Sequence, residues 1–189
     1  GNYTWDELNN RFDVLQEQYS EIISEKIIIG QSEEGRDIWA FKVSDNPNED
    51  EEEPELLLTG LIHAREPLSM MNLFYFVQLL GENYESDSEL NFLVNNREIW
   101  FIPVINPDGY IYNESIEPNG GGMHRKNRKD TGCGNGTSRG IDLNRNFGYG
   151  WGSDDIGSSP NPCSATYRGE SDFSELETQV VRDFILNHD

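Results

Sequence analysis

The sequence predicts an α/β fold, a sheet flanked by helices, and three stretches carry that prediction. Leu56 to Ile62 is a nearly unbroken apolar run of strand length, the pattern of a central strand buried on both faces. It feeds a helix: Pro67 stands at a first helical position, and Met70, Met71, Phe74, Val77 and Leu80 recur at helical spacing. Glu98 to Val104 is a second apolar run, and Ser174 to Asn187 reads as an amphipathic helix. At 189 residues the chain is expected to form one domain, 1–189, with a substantial core.

From the N-terminus, Thr4 caps a first helix, with Glu7 at capping-box spacing and Trp5, Leu8, Phe12 and Leu15 as its apolar face. Lys26 to Ile29 and Ile38 to Val43 read as strands joined by a turn from Gln31 to Arg36, and so as a hairpin. Asp45 to Glu53 is an acidic loop whose charges are best read as solvated; calcium is the alternative, without EF-hand spacing to support it. A polar link from Gly81 to Ser88 and a short helix, Glu89 to Asn95, lead into the second strand. Asn106-Pro107-Asp108-Gly109 reads as the turn that ends it. Tyr110 to Gly140, rich in Gly, Asn and Ser, reads as a long ordered loop of the kind that carries function. In the last helix Glu175 and Glu177 occupy the first turn, and Val180, Val181, Phe184 and Ile185 form the buried side.

Composition excludes several classes of function. With 35% hydrophobic and 11% aromatic residues the chain is globular. A formal charge of −21, from 14 basic against 35 acidic residues, argues against nucleic acid and anionic membranes as partners. No stretch is long and apolar enough to span a bilayer and no signal peptide is present, so a mature form or an expressed segment is expected. Cys133 and Cys163, the only cysteines, lie in loop-like surroundings. Either they are buried thiols or, the favoured reading, they form a disulfide made in an oxidising compartment. The sequons at Asn2, Asn113 and Asn135 are compatible with secretion.

Chemistry concentrates in three places. His63-Ala64-Arg65-Glu66 lies at the carboxyl end of the first apolar run, where open α/β sheets bind ligands. An imidazole and a carboxylate three residues apart there can converge on one ion, and the pair suits zinc; the alternative is a surface histidine beside a helix-start glutamate. His124 to Lys129 is the densest positive cluster, suited to carboxylates and oxyanions or simply to acidic surface. Asp142-Leu143-Asn144-Arg145-Asn146-Phe147 offers directed donors, for a substrate carboxylate or for its own loop.

Further strings occur with these in a set order: G-x-x-x-E-G-R at Gly30–Arg36, H-A-R-E at His63–Glu66 and N-P-D-G at Asn106–Gly109. R-K-N-R at Arg125–Arg128, D-L-N-R-N at Asp142–Asn146, S-A-T-Y-R-G at Ser164–Gly169 and F-S-E-x-E-T at Phe173–Thr178 complete the series. Together they resemble the zinc metallocarboxypeptidases, the carboxypeptidase A-like family, over essentially the whole chain, and look closest to the bacterial carboxypeptidase T type. The resemblance implies a mixed, largely parallel central sheet flanked by helices, one zinc ion per full catalytic domain, and hydrolysis of the last peptide bond of peptides and proteins. It implies His63 and Glu66 as zinc ligands and Arg65 as a lining of the outer substrate subsites. Arg128 would stabilise the oxyanion with Arg125 as its basic neighbour, and Asn144 with Arg145 would clamp the terminal carboxylate. Cys133 and Cys163 fall near a disulfide found in some members.

The family also needs a third zinc ligand, a histidine, together with a glutamate general base and a tyrosine, and none has a counterpart before Asp189. His124 and His188 match neither position. The resemblance therefore implies an N-terminal part of a longer, secreted catalytic domain, inactive alone, whose partner is the missing C-terminal half. A non-catalytic peptide-binding relative, and a zinc amidase acting on non-standard acyl amino acids or cell-wall peptides, stay open as alternatives.

Overall fold

The computed structural model describes residues 1–188. Helix α1 (Trp5–Gln18) starts where its capping box places it: Thr4 Oγ1 accepts the Glu7 amide, and the Glu7 carboxylate accepts the Thr4 amide. Strands β1 (Ile27–Gln31) and β2 (Asp37–Val43) form the expected antiparallel hairpin. Its turn is pinned from far along the chain. The Asp108 carboxylate accepts from Ser32 Oγ and Arg36, each at 2.7 Å, and from the Glu34 amide at 2.8 Å.

After β3 (Glu55–Thr59) come α2 (Leu68–Asn83), α3 (Ser88–Val94) and β4 (Glu98–Ile102). The sheet has four strands in the order β1-β2-β4-β3. It is mixed and flanked by helices, as expected, with a smaller parallel share: β3–β4 is parallel, while β1–β2 and β2–β4 are antiparallel. Alternation along β2 serves both faces. Trp39, Phe41 and Val43 join one core with α1, α2 and α3, while Ile38 and Ala40 join another beneath the last helix (Leu176–Leu186). Gly30 lets that helix approach β1, because a β-carbon there would overlap the Val180 side chain.

Three expectations need correction, the smallest being Ile185, which is 51% exposed rather than on the buried side of the last helix. The Leu56–Ile62 run is not a central strand buried on both faces: β3 stops at Thr59, lies at an edge among the described strands, and leaves Leu56 47% exposed. The crossover through α2 and α3 inserts β4 between β2 and β3, so β4 takes the interior place. An apolar run reports a tendency to be buried, and pairing order is set by connections. Likewise Asn106–Gly109 is not a terminal turn but opens helix α4 (Pro107–Ile116), which replaces the start of the expected long loop. Asn106 Oδ1 accepts the Gly109 amide at 3.0 Å and Pro107 fits a first turn that needs no donor. Residues 117 to 140 do run as irregular chain.

Candidate active site

The His63 loop is built by long-range ties. Before it, buried Leu61 holds a left-handed backbone at φ 47°, costly for a branched side chain. Ser69 Oγ accepts the Leu61 amide at 2.9 Å, and the Asn106 amide donates to the Leu61 carbonyl at 3.1 Å. From α4, Asn113 donates to the carbonyls of Ala64 (3.1 Å) and His124 (2.9 Å), setting the His63 loop beside residues 124–128. The Ala64 amide completes the seam by donating to the Arg125 carbonyl at 3.1 Å.

Four charged or titratable side chains meet there. His63 is buried, with Nδ1 3.0 Å from Glu66 Oε2 and Nε2 3.1 Å from Asp142 Oδ1. Arg125 donates to Asp142 Oδ2 through Nε (3.1 Å) and Nη2 (2.9 Å), and its Nη1 lies 3.6 Å from Glu66 Oε1. Burial alone would raise the Asp142 carboxyl, but hydrogen bonds from His63 and Arg125 hold it below the usual carboxylate range. With Asp142 accepting a proton carried on Nε2, Nδ1 is the ring nitrogen left to share a cation with the Glu66 carboxylate. Metal-binding histidines are commonly oriented in this way, one ring nitrogen donating to a carboxylate and the other left for the ion. His63 and Glu66 therefore fit as two zinc ligands. A catalytic zinc takes three protein ligands plus water, and among the described residues no third His, Cys, Asp or Glu groups with this pair.

The other histidines stand apart. His124 is buried, Nε2 bonds the Asn127 carbonyl at 3.0 Å, and burial pushes its pKa down to about 4. His188 pairs with Glu55 at 2.9 Å. Asp142 had no role assigned from sequence; its place in the D-L-N-R-N string was the available signal.

The positive cluster is dispersed rather than presented as a patch. Lys126 is buried, donating to the carbonyls of Ser138 (2.6 Å) and Ser164 (2.9 Å), and burial pushes its ammonium down to about 8. Lys129 pairs with Glu33 at 3.1 Å. Asn127 donates to Glu175 (2.7 Å) and Glu177 (3.3 Å) at the start of the last helix, and burial raises the Glu177 carboxyl to about 7. Arg128 is 6% exposed; its Nη2 donates to the Asn135 carbonyl at 3.2 Å, while its buried Nη1 has no hydrogen-bond partner.

Asp142 also starts a short 3₁₀ turn, Leu143–Arg145, by accepting the Asn144 amide at 3.1 Å. The Asn144 side chain is exposed, and Arg145 donates through Nε to the Gly157 carbonyl at 2.7 Å. Both line a cavity of about 500 Å³ with Phe147, Tyr149 and Trp151. The loop-stabilising alternative applies to Asn146, which is buried and bonds Arg168, Ser171, Ser174, Glu175 and Thr178. Arg65 is exposed and faces a separate cavity of about 410 Å³ beside α4 and the first residues. Cys133 and Cys163 form the favoured disulfide, lashing together the two loops that Lys126 also ties.

The zinc carboxypeptidase family matches residues 8–189. A zinc carboxypeptidase of Saccharothrix mutabilis subsp. capreolus is 43% identical over 66% of this chain and 27% of its own length. Carboxypeptidase B of Helicoverpa zea is 37% identical over 96% of this chain and 40% of its own. An inactive metallocarboxypeptidase, ecm14 of Talaromyces marneffei, is 35% identical over 85% and 26% respectively. Among solved structures, carboxypeptidase A from Helicoverpa armigera superposes with a TM-score of 0.82 at 32% identity, covering 99% of this chain and 43% of that one. The chain thus spans less than half the length of these relatives.

Proposed function

This chain belongs to the zinc carboxypeptidase family, and from that premise we propose that it carries the metal-binding and carboxylate-binding part of an exopeptidase releasing C-terminal residues from peptides and proteins. The observation that carries the reading is buried His63 held between Asp142 and Glu66, with Arg125 closing the cluster. In this reading His63 and Glu66 hold zinc, and Asp142 keeps Nδ1 free for it. When bound, zinc supplies Lewis acidity toward the scissile carbonyl and lowers the pKa of water. Arg128 offers its unpartnered Nη1 to the developing oxyanion, and Asn144 and Arg145, on the cavity rim, bind the terminal carboxylate. Arg65 serves outer substrate residues from its own cavity.

The third ligand and the general base are proposed to lie outside these 189 residues. The work is extracellular in this reading, supported by the disulfide. Its partners are peptide termini; a net charge of −21 disfavours nucleic acid and anionic membrane. The test is zinc-dependent release of the last residue by the full-length protein from peptides with free or amidated C-termini. Cleavage of the free form alone, lost with chelator and weakened through KM by Arg145→Ala, is expected. Equal cleavage of both forms would indicate an amidase. Binding without turnover would indicate a non-catalytic relative, as the inactive relative's name makes worth checking.

A further inference from the structure

We infer that Tyr112 is a positioning residue for Arg128, orienting its guanidinium so that one amino group stays free for the oxyanion; this rests on the exopeptidase reading above. Tyr112 projects from α4, and the Arg128 guanidinium carbon lies 3.7 Å from the centre of its ring. Stacking on an aromatic face fixes a planar cation in orientation as well as in place. A second tie sets the rotation within that plane. Tyr112 Oη donates to the Asn135 carbonyl at 3.0 Å, and Arg128 Nη2 donates to that same oxygen at 3.2 Å. Arg139 fastens the same loop, donating to the Arg128 carbonyl and to Asn135 Oδ1, each at 2.8 Å. Tyr112 also meets the buried His124 ring in a T-shaped contact, 5.1 Å between centres.

The outcome is asymmetric: Nη2 is engaged and Nη1, though buried, bonds nothing. A buried unpaired donor on a charged group is costly, so such a group is kept where a ligand will meet it. Tyr112 is half-buried and stands outside the residues that form the two cores. Its arrangement therefore serves Arg128 rather than the packing of α4.

The experiment is a double-mutant cycle in the zinc-loaded full-length enzyme, using Tyr112→Leu, Tyr112→Phe and Arg128→Ala. Tyr112→Leu is expected to lower kcat about tenfold with KM within about twofold, since the group it orients acts in the transition state. Tyr112→Phe, which keeps the ring, should recover most of that loss. In the Arg128→Ala background Tyr112→Leu should cost nothing more, because the two act as one unit. Independently of turnover, the ring-current shift of the Arg128 side-chain NMR signals should vanish in Tyr112→Leu. Additive losses, or an Arg128 signal unmoved by Tyr112→Leu, would overturn the inference. If Tyr112→Leu does not fold, Tyr112→Met, which also removes the ring but suits a helix, carries the same cycle. An Arg128→Ala enzyme with unchanged kcat would instead sink the oxyanion role of Arg128 itself.

Discussion

Replacing Asp142 with asparagine probes the joint on which the metal reading depends. The carboxylate is fully buried and accepts from His63, twice from Arg125, and from the Asn144 amide. Asparagine preserves shape but turns one acceptor into a donor aimed at Arg125 or His63. Removing one partner of a buried ion pair costs about 3–5 kcal/mol. Arg125 is 16% exposed and keeps Glu66 at 3.6 Å, which places the loss near the lower end, about 3 kcal/mol. For a chain of this size about 3 kcal/mol corresponds to a fall in Tm of roughly 6–12 °C. Freed from its partner, the His63 ring should also bind zinc about 10–100-fold more weakly. Calorimetry of the metal-free protein and chelator competition for zinc read the two effects separately. A Tm within about 2 °C of the parent, with unchanged zinc affinity, would refute the claim that Asp142 orients His63.

Four further outcomes are expected. The His124 pKa is pushed from 6.5 to about 4, so the unfolded chain binds the extra proton and stability falls as pH drops through that window. Glu177 runs the other way: with its pKa raised from 4.5 to about 7, the folded state holds the extra proton and stability falls as pH rises through that window. Urea unfolding of Glu177→Gln at pH 5 and pH 7 should show the variant gaining on the parent at the higher pH; an equal difference at both would mean that Glu177 is ionised when folded. Reducing Cys133–Cys163, separated by 30 residues, should cost about 3–4 kcal/mol on the chain-entropy account, visible as a Tm drop of about 10 °C. Gly30→Ala should cost about 1–3 kcal/mol by driving a methyl into Val180, with partial recovery in Gly30→Ala/Val180→Ala; additive losses would mean the contact is not the cause.

Much of the local structure was legible because it depends on neighbours in sequence. The Thr4–Glu7 box, the β1–β2 hairpin and the apolar stripe of α2 each rest on contacts within a few residues. The start of α4 shows the limit of such reading. Asn106-Pro107 is equally a turn and a capped helix start, and the packing of residues 108–116 decides between them. The site was legible as residue types: His63, Glu66 and Arg125 do meet. Arg65 turns to a different cavity from the one lined by Asn144 and Arg145.

By itself the sequence determined the periodicities, the caps, the acidic charge and the ordered strings that place the chain in its family. Only the tertiary structure decided that β4 rather than β3 lies inside the described sheet, and that Lys126 and His124 are buried although their stretch is rich in basic residues. It alone brought Asp142 to His63, 79 residues away along the chain, and Tyr112 to the face of Arg128. Helical and strand spacing arise from short-range geometry that every residue reports locally. Ion pairs and stacked rings between distant segments depend on how connections fold back, which no single stretch records.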